Sequence, residues 1–160
     1  ADHGTLIVTD GDEHKSKDII TGIAGKKDLS IIHLEKDMMN EEKGFGRIIT
    51  LGSVNQHRQH LELSMYSATK CAVYKFVEVI AKDLAPYGVT INNISPGAIL
   101  TPRNEGAYND ENIRKSVEAC IPMGRFGTPE DCVGAVLMLC SEQGAYITGT
   151  DIIIDGGLRL

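Results

Sequence analysis

The chain has 160 residues, 42% of them hydrophobic and 24% charged, with a formal net charge of −6 at pH 7. That length suits one domain with a substantial core. The acidic balance, without a Lys/Arg cluster or basic-aromatic stripe, excludes nucleic acid and anionic membranes as expected partners.

In chain order, "TLIVTD" at 5–10 reads as a short strand with a polar tip. Asp12 caps a following helix whose Ile19, Ile20, Ile23 and Ala24 share one face before Gly25 stops it. "LSIIHL" at 29–34 and "RIITLGS" at 47–53 read as further strands. Next comes a helix on which Ala68, Ala72, Phe76, Ile80 and Leu84 recur in register as the expected buried stripe; it halts at Pro86 and Gly88. "VTINNIS" at 89–95 is a strand leading into "PG" and a polar stretch.

Thr128, Pro129, Glu130 and Asp131 spell a helix start: a capping hydroxyl, a proline in the first turn and two acids at the positive dipole end. Val133, Val136, Leu137 and Cys140 form its expected inner face. "TDIIID" at 150–155 is the last strand, ended by Gly156 and Gly157. Strands separated by helices predict a doubly wound α/β fold with a mostly parallel sheet.

The longest apolar run, residues 133–140, falls far short of the roughly 20 residues that span a bilayer. No secretory leader is expected. Cys71, Cys120, Cys132 and Cys140 show no CxxC or Cys/His spacing. Cys71, Cys132 and Cys140 fall in apolar helical settings, so free buried thiols in a reducing cytoplasm are expected, and no metal site.

The chemistry centres on "YSATK". Tyr66 and Lys70 stand four apart, so a phenol and an ammonium share one helical face. A cation held one turn away favours the phenolate. Ser53 lies 13 positions upstream at a strand end, the place where open α/β sheets bind their ligands. A hydroxyl there can hold a substrate oxygen in line with the phenol. YxxxK alone carries little weight, because the two residues fall four apart by chance.

Taken together, "GRIITLGS", "YSATKCA", "GVTINNISPGAILTP", "IPMGRFGTPEDCVGAVLMLCSE" and "YITGTDIIIDGG" resemble the short-chain dehydrogenase/reductase family, in its classical subgroup. The resemblance runs from His3 to about Leu160 and implies a Rossmann fold with NAD(P)-dependent oxidoreductase activity. By that resemblance Tyr66 is the general acid/base, Ser53 bonds the substrate oxygen, and Lys70 tunes the tyrosine and binds the nicotinamide ribose. Pro96, Gly97, Ile99 and Thr101 are expected at the nicotinamide and pyrophosphate end, with Asp37 and Met38 flanking the adenine. Asp10, an acid at a strand tip, suits ribose hydroxyls and repels a 2′-phosphate, which favours NAD over NADP. Asn55, His57 and Arg103 are weaker candidates for substrate contact, and Arg125 is expected to support the helix after it.

The resemblance also implies a small-molecule alcohol or carbonyl substrate, with a sugar or polyol favoured, and a homotetramer. The alternatives are a 3-oxoacyl-carrier-protein reductase-like enzyme and a non-catalytic binding or scaffold protein of the same fold. Two family hallmarks are absent: the glycine-rich phosphate loop on a first strand, and the Asn-Asn-Ala-Gly turn ending a fourth. One Rossmann-type domain over residues 1–160 is therefore expected, with missing segments before residue 1 and near 38–46. "EKDMMNEEKGFG" lacks the apolar stripe of a crossover helix at that junction.

Overall fold

Isoleucines on successive positions of the central strands point to opposite faces of the sheet, and each face acquires its own helix. A computed structural model describes residues 6–9, 46–102 and 105–160. The strands are β1 (Leu6–Thr9), β2 (Gly46–Leu51), β3 (Val89–Pro96) and β4 (Asp151–Ile154), side by side in that order. The helices are α1 (Ser64–Leu84), α2 (Glu105–Tyr108), α3 (Glu111–Ala119) and α4 (Pro129–Cys140).

Strands β2, β3 and β4 run parallel, with Leu51 opposite Ile94 and Asn93 opposite Asp151. Helix α1 provides the crossover from β2 to β3, and α4 lies between β3 and β4 in the chain. The sheet is mostly parallel with helices on both faces, the doubly wound arrangement expected. Strand β1 differs: it pairs antiparallel with β2, Leu6 opposite Thr50 and Thr9 opposite Arg47. An antiparallel edge on an otherwise parallel sheet is a common arrangement.

On one face, Ile48, Val89 and Ile91 pack against Val77, Ala81 and Leu84 of α1. On the other, Ile49 and Ile94 pack against Val136, Leu139 and Cys140 of α4. This alternation is the period of two of a pleated strand. Each fully buried aliphatic side chain contributes roughly 1.5–3 kcal/mol. Gly88 ends the helical segment at φ 70°, a left-handed conformation that an L side chain adopts only with strain.

Helix α1 is rotated relative to its expected stripe. Lys70, Val77, Ala81 and Leu84 face inward, whereas Ala68 and Ala72 are exposed and Phe76 is 48% exposed. Both faces of this helix are rich in apolar residues, so periodicity alone does not choose between them. On α4 the buried residues are Val136, Leu139 and Cys140, with Val133 and Leu137 half-buried. Of the cysteines, Cys140 is buried and Cys132 partly so; Cys71 and Cys120 are exposed, contrary to the expectation for Cys71.

The elements expected over 11–25 and 29–34, and residues 38–45 of the junction expected near 38–46, lie outside the described residues. Among the described residues, no helix is long and apolar enough to cross a membrane.

Candidate active site

Strand β2 ends at Leu51, and the chain turns sharply into a single 3₁₀ turn, Val54–Gln56. Ser53 caps that turn in extended conformation: its Oγ accepts from the Asn55 N–H at 3.2 Å. Gln56 completes a capping box, its Oε1 accepting from the Ser53 N–H at 3.4 Å. The motif S-x-x-Q encodes this device. Ser53 is buried, and the turn holds its hydroxyl oxygen through the Asn55 N–H.

Helix α1 packs across this turn. Lys70 is only 6% exposed, and its Nζ donates to the Leu51 carbonyl at 3.0 Å, two residues before Ser53. The same Nζ lies 5.6 Å from the centroid of the Tyr66 ring, within cation–π range. Tyr66 itself is half-buried. The ammonium thus ties together the tyrosine, on its own helix, and the strand end that carries Ser53.

Of the weaker candidates, His57 directs Nε2 at Asp151 Oδ2, 2.6 Å away, and sets its ring edge-on to Tyr74 at 6.5 Å. Burial, then the charges of Glu78 and Asp151, raise the Tyr74 phenol above its ordinary value. Asn55 is half-buried and gives its backbone N–H to Ser53.

At the carboxyl end of β3, Gly97 N–H donates to the Ile154 carbonyl at 2.8 Å, and Ile99 forms a bridge with Gly127. Pro96, Gly97, Ile99 and Thr101 are all half-buried there. A cavity of about 140 Å³, lined by Ile99, Met123, Arg125 and Asp155 among others, lies beside this loop. Its lining does not include Ser53, Tyr66 or Lys70. Asp10, Asp37, Met38 and Arg103 lie outside the described residues. Among the described residues, no group of His, Cys, Asp or Glu could hold a metal ion.

Arg125 forks onto Asp131, Nη1 to Oδ2 at 2.7 Å and Nη2 to Oδ1 at 2.9 Å, at the start of α4. The guanidinium and the Thr128 N–H hold that carboxyl well below the usual carboxylate range. Arg125 therefore supports the helix, as expected.

Sequence reading missed Gln56 and Asp151. Both carried a signal: Gln56 in the capping-box spacing after Ser53, and Asp151 as an acid opening an otherwise apolar strand.

The class that fold and site define is matched directly. The family model described as enoyl-(acyl carrier protein) reductase covers residues 29–159. Cyclohexanol dehydrogenase of Rhodococcus sp. (strain TK6) is 37% identical over 150 residues, covering 89% of this chain and 54% of that protein. L-Rhamnose 1-dehydrogenase (NADP(+)) of Thermoplasma acidophilum is 37% identical over 122 residues, covering 76% of this chain and 48% of that protein. A solved 7α-hydroxysteroid dehydrogenase, complexed with NADH and 7-oxo glycochenodeoxycholic acid, superposes with a TM-score of 0.67 at 31% identity, covering 73% of this chain and 46% of that one.

The chain belongs to the short-chain dehydrogenase/reductase family. It spans about half the length of the curated relatives it matches.

Proposed function

We propose that this chain carries the catalytic set of an NAD(P)-dependent oxidoreductase that interconverts a secondary alcohol and a carbonyl. The carrying observation is Lys70: a buried ammonium bonded to the end of β2 and packed against the Tyr66 ring. In this reading Tyr66 exchanges a proton with the substrate oxygen, and Ser53 donates a hydrogen bond to the same oxygen. Lys70 keeps the phenol ready for that exchange, since a nearby positive charge stabilises phenolate.

The residues present suit a nicotinamide dinucleotide. A lysine ammonium carries three donors, the chemistry that ribose hydroxyls require, and it sits at the carboxyl edge of the sheet. Pro96, Gly97, Ile99 and Thr101 border the same edge. When bound, NAD(P) supplies the hydride acceptor or donor; the chain's own residues bind, orient and move the proton. NAD is favoured over NADP on Asp10, with Asp37 and Met38 beside the adenine.

A sugar or polyol is the favoured substrate, in keeping with the L-rhamnose relative. Asn55, His57 and Arg103 remain the candidates for substrate contact. The second reading, an acyl-carrier-protein thioester substrate, is favoured by the description of the matching family model. A homotetramer in the cytoplasm completes the proposal. Its support is the outward apolar stripe at the N-terminal side of and along α1: Leu61 and Met65 are 90% and 79% exposed, followed by Phe76 and Val79.

The test is a fluorescence titration with NADH and NADPH, followed by turnover of cyclohexanol, L-rhamnose and an acetoacetyl thioester. Tyr66→Phe is expected to bind NADH and lose turnover; a variant that still turns over removes Tyr66 from the chemistry. Failure of the unsubstituted protein to bind either nucleotide favours a non-catalytic scaffold.

A further inference from the structure

Asp151 takes no part in the chemistry proposed above, yet four neighbouring side chains converge on it. Its side chain is 5% exposed. The carboxylate accepts from Asn93 Nδ2 at 2.8 Å, from Ser95 Oγ at 2.8 and 2.9 Å, and from Gln56 Nε2 at 2.7 Å. His57 Nε2 lies 2.6 Å from Oδ2. Thr50 extends the network by donating to Asn93 Oδ1 at 2.6 Å. The parallel register sets Asp151 directly opposite Asn93, so β4 delivers the acid under the turn that follows β2.

Gln56 joins this acid to the serine turn. A carboxylate only accepts and a backbone N–H only donates, so the Gln56 amide has one workable orientation. Its Nε2 faces Asp151 and its Oε1 faces the Ser53 N–H. We infer that Asp151 is a positioning residue for Ser53, acting through the Gln56 amide that it holds in place. The inference rests on the reading of Ser53 as a catalytic residue.

Gly52 supports it independently. A Cβ at Gly52 would stand 2.6 Å from Gln56 Oε1 and 2.9 Å from Ser95 Oγ, so the network closes directly on the backbone beside Ser53. Only glycine leaves room for that approach.

The chemistry dictates a reciprocal test. Asp151→Asn leaves one acceptor oxygen where the carboxylate serves both the Gln56 and the Asn93 amide, so one of those N–H₂ groups is left facing another and the fixed seat of Gln56 is lost. Gln56→Glu sets one carboxylate against another. In the double variant a carboxylate at position 56 accepts from both the amide at position 151 and the Ser53 N–H, which reverses one donor–acceptor pair and keeps the other. Amide hydrogen exchange by NMR reads the turn, with Ile94 in the sheet as reference.

Each single variant is expected to speed exchange at Ser53 and Asn55 by about tenfold or more. Ile94 should stay within about threefold, and the double variant should restore the turn to the same margin. If a single variant does not fold, recovery of a cooperative thermal transition in the double variant supports the coupling. Unchanged exchange in the singles, or a double variant no better than the worse single, overturns it.

Exchange is independent of turnover, so rescue of the turn in a protein that oxidises no alcohol would sink the oxidoreductase reading and leave this inference standing. Where cyclohexanol is turned over, kcat is expected to fall about tenfold in the singles and recover in the double, with the NADH Kd within about twofold throughout. Loss of kcat without any change in exchange overturns the inference.

Discussion

Replacing Lys70 by methionine keeps most of the length of the side chain and removes the charge. The Nζ stands 5.6 Å from the Tyr66 ring centroid. At that separation, with an effective dielectric of about 20, two unit charges interact by about 3 kcal/mol, which is the ceiling on what the ammonium contributes to charge developing in the transition state. Translated into rate, that ceiling is a loss of about a hundredfold. Stability responds differently. The variant loses a charged hydrogen bond to the Leu51 carbonyl, worth about 1.5–3 kcal/mol, but no longer has to bury an ammonium. The two effects oppose each other, so the urea midpoint should move little while turnover collapses. The assay is steady-state reduction of the carbonyl partner of the best panel substrate from pH 6 to 10, the direction in which Tyr66 gives up its proton, with urea unfolding alongside. Turnover within threefold of the parent, in a variant that folds equally well, would refute the assigned role of the ammonium.

Other outcomes follow from the packing and charges. Val77 is wholly buried between α1 and the sheet, so Val77→Ala should cost about 2 kcal/mol in urea unfolding. Val79→Ala, 58% exposed two residues further on, should stay within about 0.5 kcal/mol in the monomeric state. Phe76→Glu is expected to shift the sedimentation coefficient to a smaller species; an unchanged assembly would remove the α1 stripe from the interface. Asp131 titrates lower in the folded chain than in the unfolded one. Its stabilisation is therefore present above about pH 4 and lost as the pH falls further. Arg125→Met should reduce the acid loss of urea midpoint across that window, and an equal loss in both proteins would detach the pair from acid stability. Burial, then Asp131, raises the Cys132 thiol. Iodoacetamide at pH 8 should accordingly label Cys132 more slowly than the exposed Cys120.

Much of this protein is legible in local pattern. Four-residue spacing placed Tyr66 and Lys70 on one helical face, and any α-helix over that stretch would do the same. The start of α4 was written in Thr128, Pro129 and Asp131: the capping hydroxyl and first-turn proline stand as expected, and Asp131 adds a capping box with Thr128. Strand positions followed from runs rich in β-branched residues, which pack well in a pleat covered on both faces.

What tertiary structure alone decided is which face of a helix turns inward and which distant groups meet. Hydrophobicity would bury Phe76 and expose Lys70; the fold does the reverse. The Leu51 carbonyl, 19 positions upstream, offers the ammonium a partner that its own helix does not contain. The edge pairing of β1 likewise depends on which hydrogen-bonding groups of β2 face it, a matter of sheet order rather than of propensity. Gln56 and Asp151 lie 95 positions apart, and only the parallel register of β3 and β4 brings carboxylate and amide to 2.7 Å. Local chemistry determines which elements form, because its interactions span a few residues. Contacts across the sheet exist only after the chain has closed long loops, so the fold assigns them.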